Sequence, residues 1–282
     1  MEWRTYIDES YNEHVFCVGG FLAPEPLWKS FADQWGARIQ YENEKSSIAG
    51  YPRITRYHAS DCANLKGEFR ESRGWDIDRQ IKLTKRLCGI IGDEGPAGLV
   101  VGGRTADMKA FLNGTPDCPK QSLYEICFRM TMLLVVSVMR ERFPGTRVGL
   151  VIDRGRNFES VARQAFDSMS KDETVPYLKE CFTGLDVEDS VLSAPLQAAD
   201  FMAYEAMRQL ELLRRGREDM RKSLHALIGT EIPLHISQFT EQNFADMRKM
   251  IDNNKAGMRI DEGIESGIEM AVTSGHSLSL LP

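Results

Sequence analysis

What the 282-residue chain has little of narrows it first. It has no excess of positive charge: 35 Lys and Arg stand against 41 Asp and Glu, a formal net charge of −6. Any surface for a polyanion must then be a local patch. No Cys-x-x-Cys pair occurs among Cys17, Cys62, Cys88, Cys118, Cys127 and Cys181, which argues against a zinc ribbon. Several of these cysteines stand in apolar runs and read as buried free thiols of a reducing compartment. Neither Gly19-Gly20 nor Gly102-Gly103 is followed by Gly-Lys-Ser/Thr, so neither is a phosphate loop. Both pairs read as bulges or sites of close backbone packing. No Gly-x-Ser-x-Gly supports a serine nucleophile, and Ser10 reads as a turn residue. The longest mostly apolar run, 126–139, carries Arg129 and is shorter than the roughly 20 residues a membrane span needs. No signal peptide, internal repeat or low-complexity block is visible. A cytoplasmic protein with an ordinary core is expected, at 42% hydrophobic and 27% charged residues.

What is present begins with Tyr6-Ile7-Asp8-Glu9-Ser10. Trp3, Thr5, Tyr6 and Ile7 favour extended structure, and Val15 to Leu22 reads as the returning strand of a hairpin. Pro26 opens a helix with Leu27, Phe31, Trp35 and Ile39 on its buried stripe. A polar loop over 42–56, a short strand over 54–58 and a second loop over 64–74 follow. Asp76 caps a helix lined by Ile77, Ile81, Thr84, Cys88 and Ile91. A strand over 97–104 comes next. Ser122-Leu123-Tyr124-Glu125 is a capping box opening a long apolar helix that Pro144-Gly145 ends. Arg147 to Asp153 is the clearest buried strand. A helix from Phe158, a weak strand over 177–183, and a helix from Pro195 capped near Gly216 follow. Shorter helices over 219–227 and 239–251 and a loosely held tail close the chain. Hairpin strands first, then strands alternating with helices, give an α/β fold: a mixed sheet flanked by helices, with a helical insertion over about 25–95.

Three aspartates share an unusual setting. Asp8 ends the first strand, Asp153 ends the central strand, and Asp200 lies in Leu196-Gln197-Ala198-Ala199-Asp200-Phe201-Met202-Ala203-Tyr204. Ala198, Ala199 and Ala203 would let that helix approach the sheet closely. An isolated carboxylate there costs several kcal/mol or takes up a proton. Three together repel unless a divalent cation neutralises them, and hard oxygen donors suit Mg²⁺ or Mn²⁺. Two cations about 3.5–4 Å apart can activate water and stabilise a leaving oxygen in phosphodiester cleavage. Arg154 and Arg156 flank this site and could grip phosphate. Gln197, about one turn before Asp200, could hold that carboxylate, touch substrate, or serve only as a polar group at the helix start. Arg214, Arg215, Arg217, Arg221 and Lys222 are the densest basic cluster, open to a nucleic acid or to helix ends and their acidic neighbours.

Tyr6-Ile7-Asp8-Glu9-Ser10 with Val18-Gly19-Gly20, Tyr57-His58-Ala59-Ser60-Asp61, Ile152-Asp153-Arg154 and the 196–204 segment, in that order, resemble the signature segments of the domain of unknown function 3800 family. The likeness runs from about Thr5 to Tyr204. It implies a ribonuclease-H-like fold over about 1–230 with a long insertion after the second strand, followed by a C-terminal extension. It also implies an acidic metal site and a nuclease of bacteria or phages, with Asp8, Asp153, Asp200 and His58 at the family's site positions. Such folds also use a glutamate on the helix after the third strand. Glu125 is best placed for it; if it only completes the capping box, the fourth ligand is missing or is supplied by Glu9, which strand alternation points to the opposite side of Asp8 unless the strand has already ended. Glu9 itself is either a ligand or a solvated turn residue. His58 either handles phosphate or protons, or only bonds Asp61 or Ser60. The expectation is a Mg²⁺- or Mn²⁺-dependent nuclease acting on DNA or RNA, with no membrane partner and self-association left open. The rival expectations are a non-catalytic binding or assembly protein on the same fold, and a phosphatase or nucleotide hydrolase on the same acids.

Overall fold

A computed structural model describes residues 1–112, 120–155, 158–171, 176–228 and the strand at 234–239. The chain opens with the hairpin β1 (Trp3–Tyr11) and β2 (Val15–Pro24). β1 runs past Ser10, so the turn falls on Asn12, whose side chain accepts the backbone N–H groups of His14 and Val15 at 2.8 and 2.9 Å. Next come α1 (Glu25–Ile48), α2 (Ala59–Ala63), two short 3₁₀ turns, and α3 (Ile77–Glu94). Asp76 caps α3 by accepting from the Arg79 N–H at 2.7 Å, as expected. Then follow β3 (Ala97–Arg104), α4 (Thr105–Phe111), α5 (Lys120–Arg142), β4 (Val148–Asp153), α6 (Glu159–Ser170), α7 (Pro176–Cys181), β5 (Phe182–Glu188), α8 (Ala194–Arg214), α9 (Lys222–Ile228) and β6 (Leu234–Phe239).

The sheet has the order β5-β4-β1-β2-β3-β6. β1, β2 and β3 are antiparallel in turn, while β4 and β5 run parallel to β1, and β6 runs parallel to β3. The molecule is thus an α/β protein built on a mixed sheet. Strand alternation divides the core in two. Tyr6, Cys17, Phe21, Val100 and Val151 face α1, α3 and α8, while Ile7, Val18, Leu99, Leu150 and Ile152 face α5 and α6. By length and composition alone, Ser122–Arg142 qualifies as a bilayer-spanning helix, yet 61% of its apolar window is buried within this fold. Cys17, Cys62, Cys88, Cys127 and Cys181 are free and buried; Cys118 lies outside the described residues.

Several local expectations are corrected. The segment read as a loop from residue 42 stays helical to Ile48. Two of its polar residues, Glu42 and Ser46, are buried: Glu42 is 1% exposed and is gripped by Arg38 and by Arg79, whose Nε donates to it at 2.9 Å. That clasp ties α1 to α3, and Arg79 also lies over the Trp75 ring. Residues 54–58 join no strand; Asn43 stands in for a neighbouring strand, bonding both the N–H and the C=O of Ile54. α5 is already running at Lys120, so Ser122 does not cap it. Residues 177–181 are helical after Pro176, and the strand begins only at Phe182. Asp219 is held by Arg217 ahead of α9, which starts at Lys222. Phe239 ends the unanticipated strand β6, which joins the sheet beyond residue 230; the remainder of the expected 239–251 helix, like the tail, lies outside the described residues.

Candidate active site

β1 and β4 pair in parallel from Trp3↔Val148 to Ile7↔Ile152. One step further, Asp8 stands level with Asp153. Both share the face of Tyr6 and Val151, which α8 covers. Across the hairpin Asp8 is paired with Gly19. A Cβ placed on Gly19 would lie 2.9 Å from the Ala203 Cα, so α8 rests almost directly on the β2 backbone. The Cys17 thiol donates to the Ala203 carbonyl at 3.2 Å in the same seam. Asp200, three residues before Ala203, lies on the same helix face and is thereby brought over Asp8.

The insertion closes the site from the side. The Ala59 N–H, in the first turn of α2, donates to Asp200 Oδ2 at 2.7 Å. His58 precedes it, with Nδ1 3.3 Å from Asp61 Oδ2 and 3.5 Å from Ser60 Oγ. Ser190 holds Asp153 at both oxygens: its N–H donates to Oδ1 at 2.9 Å and its hydroxyl to Oδ2 at 3.0 Å. Arg56 in turn donates to that hydroxyl.

The electrostatics are those of crowded acids. Burial, then the charges of Glu9, Asp200 and Asp153, hold the Asp8 carboxyl well above the usual range, opposed by the Glu9 N–H at 2.9 Å. Burial pushes Glu9 up to about 7, against a hydrogen bond shared with Asp8. Asp200 is raised by burial, while His58, the Ala59 N–H and Arg56 pull it back. Among the described residues, none of Asp8, Glu9, Asp153 or Asp200 forms an ion pair with Lys or Arg. The donors therefore match a hard divalent cation in kind and in sign. Among the described residues, however, no three His, Cys, Asp or Glu side chains already surround one point closely enough to hold an ion.

The other expected residues fall differently. Glu125 pairs with Arg129 at 2.8 Å with its side chain 43% exposed. What α5 sends toward Glu9 is Tyr124, whose hydroxyl is pushed up by burial and by the charges of Glu9 and Asp8. Gln197 is 6% exposed, and its amide is spent on the protein: Oε1 accepts from Trp35 Nε1 at 2.9 Å and from the Tyr57 N–H at 3.0 Å, and Nε2 donates to the Ser190 carbonyl at 2.9 Å. Through these bonds it braces the site. Arg154 is exposed, with its N–H bonded to the Glu188 carbonyl at 2.7 Å; Arg156 lies outside the described residues. In the basic cluster, Arg214 and Arg215 are paired with Glu211, Arg217 with Asp219, and Arg221 with Glu205. Two site residues escape a reading of the sequence, Arg56 and Ser190. The only signal is adjacency: Arg56 stands two residues before His58, and Ser190 lies in the polar turn before Pro195.

No protein-family model matches this chain, and neither the curated proteins nor the solved structures contain a match to it.

Proposed function

We propose that the protein is a Mg²⁺- or Mn²⁺-dependent nuclease on a ribonuclease-H-like fold. The hairpin-first mixed sheet, the long insertion after β2, and acids at the ends of β1 and β4 and on the helix covering them are in keeping with the resemblance to the domain of unknown function 3800 family. The observation that carries the reading is the cluster itself. Burial and crowding, Asp153 among the causes, hold the carboxyls of Asp8, Glu9 and Asp200 above their usual range, and no Lys or Arg of the described residues forms an ion pair with any of the four acids. Carboxylates in that state await either protons or a cation.

A bound divalent ion would supply Lewis acidity to a phosphodiester and a more acidic water. Asp8, Asp153 and Asp200 offer the oxygens that would hold it; Glu9, on the Ile7 face of β1, shares a hydrogen bond with Asp8 from outside that set and stands in place of Glu125. Ser190 fixes both oxygens of Asp153, and the Ala59 N–H fixes one oxygen of Asp200. His58, with Nδ1 turned to Asp61, leaves Nε2 to hold or hand on a proton at an attacking or leaving oxygen. The test is cleavage of single- and double-stranded DNA and RNA with Mg²⁺, with Mn²⁺ and with chelator, for the wild type and Asp153→Asn. The expected result is metal-dependent cleavage that Asp153→Asn abolishes, and full activity in that variant would end the mechanism. A panel of phosphomonoesters and nucleotides separates the phosphatase alternative.

One finding favours the second reading, a non-catalytic binding protein: the described donors do not yet converge on one point. Melting with and without Mn²⁺ discriminates, because a ligand bound only by the native state must raise the midpoint.

A further inference from the structure

Arg56 is held unlike any other cation near the acids. The backbone that carries it is pinned on both sides. The Ile54 N–H and C=O are bracketed by Asn43, the Thr55 N–H donates to Glu68 Oε2 at 2.7 Å, and the Tyr57 N–H donates to Gln197 at 3.0 Å. The guanidinium is aimed as well. The Ser190 hydroxyl spends its proton on Asp153 Oδ2 at 3.0 Å, so it can meet Arg56 Nη1 only as an acceptor. Arg56 also acts on the charge of Asp200. Yet it forms no ion pair with any carboxylate of the described residues. A five-donor fork at the rim of an acidic cluster, fixed through a neutral hydroxyl and left without an anion, has most of its donors free for an anion brought from outside.

We infer that Arg56, aimed by Ser190, is the residue that grips a phosphate oxygen of a nucleic-acid backbone at this site. The inference rests on reading the site as one that takes a phosphodiester. The ligand class follows from the geometry: a planar fork beside carboxylates that would repel a bare anion needs a ligand whose charge the site can share with a cation, and a phosphodiester presents such non-bridging oxygens. Arg56 touches substrate; Ser190 is a positioning residue, since it acts through Arg56 and Asp153. The rival cations are less suited. Arg154 is exposed and braced only through its backbone N–H, and Arg214, Arg215, Arg217 and Arg221 already hold carboxylates.

The experiment uses the full chain and fluorescein-labelled single-stranded DNA, single-stranded RNA and duplex DNA oligonucleotides. Binding is read by anisotropy in chelator and in Ca²⁺, cleavage is read in Mn²⁺, and melting is followed with and without Mn²⁺. Arg56→Ala should weaken binding roughly ten- to hundredfold, the worth of a charge-assisted bond, and keep the wild-type Mn²⁺ melting shift. Arg56→Lys should recover part of the binding at low salt. In chelator, where Asp153 holds no cation, Ser190→Ala should lose less, and the double variant should bind no worse than Arg56→Ala, because there Ser190 acts through Arg56 alone. If the wild type cleaves and Arg56→Ala binds and cleaves equally well, the inference falls and the nuclease reading stands. If Arg56→Ala loses the Mn²⁺ shift together with binding, Arg56 supports the acids instead, and the inference falls. If the wild type binds without cleaving and Arg56→Ala loses that binding, the inference stands and the nuclease reading falls. A wild type that neither binds nor cleaves any probe overturns both.

Discussion

Glu9→Gln is the perturbation whose size can be worked from the structure. The Glu9 carboxyl is moved from 4.5 to about 7, chiefly by burial. At about 1.4 kcal/mol per pH unit, this sets a ceiling of roughly 3 kcal/mol on the cost of ionising it in place. Its partial exposure to water lowers the working figure to roughly 1–3 kcal/mol. The folded state keeps a proton that the unfolded state releases, so the contribution is fully present below about pH 4.5 and is lost as pH rises through about 7. In chelator, Glu9→Gln should therefore melt close to wild type at pH 4.5 and above it at pH 8. At about 2–4 °C per kcal/mol for a chain of this size, the gain at pH 8 is roughly 2–12 °C. Mn²⁺ should narrow or reverse that difference. A wild-type site at a hundredfold excess over its Kd gains about 2.7 kcal/mol, whereas the variant has one carboxylate fewer to offer. The assay is differential scanning fluorimetry of both proteins across pH, with and without Mn²⁺. A melting difference that is the same at pH 4.5 and pH 8 in chelator would refute the account of the crowded acids.

Gly19→Ala should place a methyl 2.9 Å from the Ala203 Cα, destabilise the fold by roughly 1–3 kcal/mol in urea titration, and shrink any Mn²⁺ melting shift by lifting Asp200 from Asp8. Arg79→Ala leaves Glu42 buried with Arg38 as its remaining described ion-pair partner; a loss of roughly 3–5 kcal/mol is expected, and a loss under about 1 kcal/mol would show the clasp to be idle. Gln197→Ala strips acceptors from Trp35 Nε1 and the Tyr57 N–H; it should cost roughly 2–5 kcal/mol and, in oligonucleotide binding, mimic a weakened Arg56.

The strands that carry the acids were the easiest part of the fold to read, because their evidence is local. Arg147 to Asp153 is apolar and short, and the opening hairpin is rich in β-formers, so both stand out in a single window. Asp200 was legible for a different reason: the alanines around it announce a helix with nothing to hold it off the sheet. Glu42 and Ser46 misled because their polarity belongs to a buried clasp whose other half, Arg79, lies far along the chain. β6 and the 177–181 helix are short, and short apolar runs do not declare their period. Glu125 was expected at the site only through the resemblance, and it pairs with Arg129 one turn away. Arg56 and Ser190 were invisible for the plainest reason. Their significance is a meeting across 134 residues of chain, and neither carries a local pattern that foretells it.

The seat of α8 on bare backbone at Gly19 bears on tolerance to change. Where two elements meet through side chains, a rotamer can yield and the gap can be retuned. Here the main chains themselves set the spacing, so the span from the hairpin to the helix behaves as a fixed caliper. Drift within the family of sequences that keep this architecture should then be free at the rim, on Arg154 or the exposed turn at Val191-Leu192, and forbidden at a position that offers no functional group at all.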